Sequence, residues 1–167
     1  RFNLARMIDI VRSAGARPLL VTPASNLRHC APFKSEQRAG LGKAEIERFA
    51  TLLERARTGL DSDTAEDALA ALDEALGIDQ RHAEALYLRG RALDMLGRYD
   101  DAGRAYRAAR DEDVCPLRAL SPVPAMVAEV AAQRDVVVVD FAAMVEQRAE
   151  HGIPVEYISM PLSGFMA

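Results

Sequence analysis

The sequence has no tryptophan, 5% aromatic residues, two cysteines and three histidines among its 167 residues. Scarce aromatics beside abundant alanine suit closely packed helices, and by themselves name no activity. The three histidines, His29, His82 and His151, are too far apart to form a local metal motif. No H-E-x-x-H, C-x-x-C or P-loop is present either, so neither a metal nor another cofactor is expected. No apolar run approaches the roughly 20 residues that a membrane-spanning helix needs. Charge of one sign is not in excess: 21 Lys and Arg face 25 Asp and Glu, for a net charge of −4. That balance argues against a nucleic-acid binder working by phosphate neutralisation.

What is there is enough for a core. Half of the residues are hydrophobic and 28% are charged, so the chain is not a disordered tail, and its length fits one ordinary domain or two small ones. It opens on Arg1-Phe2-Asn3-Leu4, with neither an initiator Met nor a signal-peptide core, and reads as an excerpt of a longer polypeptide. A soluble chain is expected, with its compartment left open between cytoplasmic and extracytoplasmic.

Periodicity divides the chain. Leu4, Met7, Ile8 and Val11 form one helical stripe, with Gly15 placed to end it. Pro18-Leu19-Leu20-Val21-Thr22 follows, an apolar run that fits a strand covered on both faces. From Pro23 to Gly42 the sequence turns irregular, a loop of about 20 residues of the kind usually kept for function or left disordered. Helical patterning then holds through residues 43–111. Ser121-Pro122 reads as N-cap and first residue of another helix, whose inward stripe is Val123, Val127, Val130 and Ala131. Val136-Val137-Val138-Val139 predicts a second fully buried strand, and Phe141 to Ala149 a last helix. If the strands are parallel neighbours, the intervening helices belong to a right-handed crossover.

The stretch from Ala83 to Pro116 places small residues at Gly90, Ala102 and Ala109, a turn glycine at Gly97 and aromatics at Tyr99 and Tyr106. A weaker copy, about 34 residues earlier, runs from Phe49 to His82 with Ala56, Ala68, Leu72 and Ala75 in the matching places and Asp63 at the turn. Ile46, Phe49, Ala50 and Leu53 supply the stripe of its first helix, and Ser62, Asp63 or Thr64 its second helix's cap. The pattern resembles the tetratricopeptide repeat, and two hairpins are expected over residues 43–111. Such a resemblance implies a protein or peptide partner bound through the helical repeats. Two repeats are fewer than the three or so that stand alone, so the flanking segments are expected to cover them.

Outside the repeats, Asn3-Leu4-x-x-Met7-Ile8, Pro18 to Arg28, Pro32-Phe33-Lys34-Ser35-Glu36, Asp113 to Arg118, Val136 to Asp140 and His151-Gly152-Ile153-Pro154 resemble the C-terminal half of GDSL/SGNH-type hydrolases that carry a tetratricopeptide insertion. The expected fold is therefore mainly α with a small α/β part: helical hairpins inserted into an incomplete parallel sheet, with residues 1–42 and 112–167 forming the SGNH-like segment. That family cleaves or transfers acyl esters with Ser, His and Asp. Its nucleophile and oxyanion blocks precede the matched region, and its final Asp-x-x-His is not found in Val155 to Ala167, so no catalytic residue carries over. Ser25, Ser62 and Ser163 each lack a nucleophile's turn and a partner base. The alternative is part of a serine esterase or acyltransferase, completed by other sequence or another chain, which implies an exposed sheet edge open to self-association. A plain helical scaffold with two incidental strands is the third reading.

Two groups of side chains remain. Thr22, Asn26, Arg28 and Asp140 follow the C-terminal ends of the two strands, where they either surround one ligand crevice or, for Asp140, cap the next helix. Cys30 and Cys115 flank the helical region and are either a disulfide closing it or two reduced thiols.

Overall fold

The computed structural model describes residues 1–155. The stretch in which Asp-x-x-His was sought, including Ser163, lies outside them from residue 156 onward. In chain order the elements are helix α1 (Phe2–Ser13), strand β1 (Leu19–Val21), helices α2 (Lys43–Asp61), α3 (Ala65–Ile78), α4 (Ala83–Met95), α5 (Tyr99–Asp111) and α6 (Pro122–Gln133), strand β2 (Val137–Val139) and helix α7 (Phe141–Arg148). A short 3-10 turn, Glu150–Gly152, follows. The described residues are thus mainly helical with one small parallel sheet.

The strands pair in parallel, Leu19 with Val137, Leu20 with Val138 and Val21 with Val139. All of α2 to α6 lies in the connection between them, and α6 packs against both strands. Full burial of the strands is not observed. Leu19, Val21 and Val137 are 58%, 51% and 64% exposed, while Leu20 and Val138 are half-buried. An apolar run without alternation is the mark of a strand covered on both faces. The described residues cover only one, because the sheet has two strands and its residues alternate in direction. Helix α1 departs in the same way: Ile8 is buried but Met7 is exposed. Gly15, at φ 76°, ends that helix as expected of a glycine in the left-handed region.

The four central helices form two antiparallel pairs, α2 with α3 and α4 with α5, stacked through α3 and α4. One core runs through α2, α3 and α4, built from Phe49, Leu52, Leu53, Ala56, Leu60, Ala68, Leu72, Ala75, Ala85, Leu88 and Ala92. The face of α2 is rotated from the expected stripe: Ile46 and Ala50 are exposed, and Leu52 and Leu60 are buried instead. Gly97 turns α4 into α5 at φ 71°, and Asp63 makes the matching turn at φ 59°. Thr64, the N-cap residue of α3, donates to the Gly59 carbonyl rather than accepting from the helix. Ser121 likewise makes no cap hydrogen bond; its hydroxyl accepts from Arg110 at 2.6 Å.

A second core closes the far side of the α4/α5 pair. Leu93, Ala102, Ala105 and Tyr106 are joined there by Leu27 and Ile153, from the segments before and after the helical region. Leu27 and Ile153 are 2% and 1% exposed. The second hairpin is therefore covered by the chain that flanks it.

Gly90 allows the tight crossing of α4 and α5. A Cβ there would sit 2.7 Å from the ring of Tyr106, itself fully buried and unable to move aside. Gly90→Ala is expected to cost about 1–3 kcal/mol in urea denaturation, as overpacking of a fixed core does. Gly77→Ala, in a helical position with nothing within 4 Å of the new methyl, is expected to gain about 0.5–1 kcal/mol. Equal effects at the two sites would contradict the packing described.

His82 begins α4. It is buried, its ring lies 4.6 Å from that of Phe49, and its Nδ1 accepts from the Ala85 amide at 3.3 Å. Burial pushes its pKa below the ordinary 6.5, against the pull of Asp79 and Glu84 and helped by Arg57. A lowered histidine pKa means that the unfolded chain takes up the proton first. The stabilisation is thus complete above about pH 6.5 and is lost as the pH falls through the lower, folded-state value. Denaturation midpoints at about pH 8 and pH 5 should show this loss. His82→Asn, which keeps an acceptor but does not titrate, should flatten it.

Candidate functional site

The four side chains expected around one crevice are not brought together. Thr22, buried at the end of β1, donates to Asp140 Oδ1 at 2.7 Å and accepts from the Ala142 amide at 3.0 Å. Asp140 also accepts from the Ala143 amide at 3.2 Å, so it caps α7. The Thr22 hydrogen bond, with the Ala143 amide, holds its carboxyl below the usual carboxylate range. Both groups are spent on joining the strand ends to α7.

Asn26 is used locally. Its side-chain oxygen accepts from the His29 amide, and its carbonyl accepts from Arg118. Arg28 leaves the sheet altogether. Burial of Leu27 fixes the chain here, and the amides of Leu27 and Arg28 both donate to the Pro154 carbonyl, at 2.9 and 3.3 Å. Arg28 then points at α4 instead of β2.

There it enters an open cleft of about 670 Å³, lined by Arg28, His29, Tyr87, Arg91, Asp94, Met95, Tyr99, Tyr106, Glu150 and His151. That volume falls in the usual range of ligand sites. Arg28 Nη2 donates to Asp94 Oδ1 at 3.0 Å, and its Nε lies 2.7 Å from Oδ2 without the alignment of a hydrogen bond. The Tyr106 hydroxyl donates to Asp94 Oδ2 at 3.3 Å, and that of Tyr87 to the Arg28 carbonyl at 2.8 Å. Burial and the charge of Asp94 push the Tyr106 hydroxyl well above its usual range, and burial raises that of Tyr87. Both are neutral donors at ordinary pH. Glu150 lies 3.6 Å from Arg28 Nη1 at the edge of the group.

The open side of the cleft differs in character. Arg91 is half-buried and makes no hydrogen bond or ion pair among the described residues, and Met95 is 43% exposed. Tyr99 stacks on His151, ring centroids 3.5 Å apart and planes within 2°. The cleft thus joins an aromatic wall and an apolar side chain to a guanidinium. It has no convergent set of metal ligands; among the described residues no group of three His, Cys, Asp or Glu is placed to hold an ion.

Of the repeat positions, Ala102, Tyr106 and Ala109 are buried between the helices, Gly90 meets Tyr106 and Gly97 makes the turn. Tyr99 instead faces the cleft. Asp94, Tyr87, Arg91 and Met95 were not singled out from the sequence. Their signal was a second stripe on α4, Tyr87, Arg91, Asp94 and Met95 at helical spacing, beside the more regular pattern of small residues.

Cys30 and Cys115 are free thiols in the structure, not a disulfide. The segments that carry them run side by side but out of step. Asp113 accepts from the Phe33 and Lys34 amides at 2.7 and 3.0 Å, the Val114 amide donates to the Lys34 carbonyl, and Arg118 donates to the Cys30 carbonyl. Cys115 is therefore beside Phe33 and Lys34, while Cys30 is beside Arg118.

Asp113 holds the loop in place. Burial would raise its pKa, but the Phe33, Lys34 and Cys115 amides and the nearby Arg118 outweigh this and keep it low. Asp113→Ala leaves those amides without their acceptor and is expected to cost about 1–3 kcal/mol. It should also speed limited proteolysis within residues 28–38. Unchanged cleavage there would contradict the clamp.

No helix among the described residues is long and apolar enough to cross a membrane. No protein-family model, curated protein or solved structure matches the chain.

Proposed function

We propose that this chain is a protein-interaction module of tetratricopeptide type, set within an SGNH-like segment, which takes an extended peptide in the cleft beside α4. The observation that carries this reading is the cleft itself, with Arg91, Met95 and the Tyr99 ring at its open side. A half-buried guanidinium with no ion pair among the described residues, beside apolar surface, is the kind of feature that binding surfaces use.

The repeat assignment is supported by the packing. Gly90, Ala102, Tyr106 and Ala109 have counterparts 34 residues earlier in Ala56, Ala68, Leu72 and Ala75, and each of these four is fully buried. In that resemblance the concave surface of the repeats meets the partner, and Tyr87, Arg91 and Met95 lie on the first helix of the second hairpin. The SGNH-like reading is supported by the parallel pair, with Thr22 and Asp140 at its C-terminal edge.

Binding is preferred over ester chemistry because the hydroxyls near the cleft and sheet edge serve the fold. Ser25 donates to the Ala119 carbonyl, Ser35 accepts from the Glu84 amide and Ser121 accepts from Arg110. Nothing about these three resembles a serine activated by a base.

Selection of a displayed random-peptide library on the full chain tests the proposal. Peptides bound with micromolar affinity should lose at least tenfold on Arg91→Glu or Met95→Glu, read by fluorescence anisotropy. Binding insensitive to both changes would contradict it. So would turnover of p-nitrophenyl acetate by the pure chain, abolished by a serine-directed inhibitor.

A further inference from the structure

A segment of the chain itself lies along α4. Residues 28–38 form neither helix nor strand and lie across the second hairpin. The Glu84 amide donates to Ser35 Oγ at 2.9 Å, and Tyr87 donates to the Arg28 carbonyl. Asp79, in the turn between α3 and α4, accepts from the Arg38 amide at 2.8 Å. The segment is held by its backbone at Arg28 and Arg38, by the Ser35 hydroxyl and by one deep side chain, a mixture that bound extended peptides also use.

That side chain is Arg28. Its socket is the Asp94 carboxylate, braced by the Tyr106 hydroxyl, with Tyr87 as a wall and Glu150 at the rim. A carboxylate presented this way suits a planar guanidinium, which reaches both oxygens, better than an ammonium. The fit of Arg28 is incomplete, since its Nε approaches Asp94 Oδ2 off the hydrogen-bond axis. The cleft also extends past it toward Arg91 and Met95, beyond what Arg28 fills.

We propose that the Asp94 socket recognises an arginine in an extended peptide partner, and that Arg28 is an internal occupant which the partner displaces. This rests on reading the cleft as a peptide groove and names the partner's chemistry. A tethered occupant competes at high effective concentration, so partner affinity is multiplied by the fraction of time that the socket is free. Displacing it also releases residues 28–38, which makes binding and loop order opposing events.

The test uses the full chain and a fluorescent peptide with the sequence of residues 24–34, its Cys30 replaced by serine. Arg28→Ala empties the socket in the chain. That variant should bind the peptide at least ten times more tightly than the unaltered chain does. Peptides with Arg28→Lys or Arg28→Ala should bind it at least ten times more weakly, and Asp94→Asn added to the chain should remove the preference. Methylguanidinium should raise the melting temperature of the Arg28→Ala chain and not that of the double variant. Should Arg28→Ala fail to fold, Arg28→Lys in the chain supports the same comparison. Equal binding of the arginine and alanine peptides by a folded variant would overturn the proposal. Library peptides that bind the unaltered chain with no need for arginine would overturn it too, while leaving the peptide-binding reading in place. Loss of all peptide binding alongside methylguanidinium rescue would do the reverse to that reading, and would leave the socket chemistry intact.

Discussion

Leu27 and Ile153 close the core of the second hairpin from outside the helical region. Stacked helix pairs bury one another's faces, and the last pair in a stack keeps a face that only something else can cover. Here that face, on α4 and α5, is filled by one residue from before the helical region and one from after it. Their burial ties the two flanking segments together, since the Pro154 carbonyl next to Ile153 takes the amides of Leu27 and Arg28. It also decides where Arg28 goes. With Leu27 turned into the core, the next side chain is aimed at Asp94, and the cleft forms around that pair.

A loop so long carries many amides that no helix or strand satisfies, and buried amides need acceptors. The chain supplies them with carboxylates at fixed points. Asp79 takes the Arg38 and Arg81 amides, and Asp113 those of Phe33, Lys34 and Cys115. Arg118 performs the complementary task for the carbonyls of Asn26 and Cys30. These are the interactions that turn an irregular segment into a defined wall of the cleft. They also set the offset between the two cysteines, so a pairing that chain position alone allowed is not formed.

The helices were legible in the sequence because burial on one side imposes a period that any side chain obeys. The small residues at Gly90, Ala102 and Ala109 marked the close approach of α4 and α5, and the two apolar runs marked a parallel pair. Less was legible where contacts between distant segments decide. The burial of Leu19, Val21 and Val137 depends on what lies over the sheet, which a run of valines does not state. The crevice drawn around Thr22, Asn26, Arg28 and Asp140 assumed that residues following a strand stay at its end. Leu27 takes the chain away after five residues beyond Thr22, and only the hydroxyl of Thr22 and the carboxylate of Asp140 remain in contact. The stripe that carries Asp94 and Tyr87 did not point to a site, since a polar stripe on a helix is the ordinary sign of a solvated face.

Residues 28–38 are held against the second hairpin as a bound peptide would be. Native-state hydrogen exchange at the amides of Phe33, Lys34 and Arg38 measures this most directly. All three should be protected well beyond an unstructured chain and should lose protection together, in an opening that leaves the amides of α4 and α5 closed. Exchange of these amides at the rate of a free peptide would contradict it.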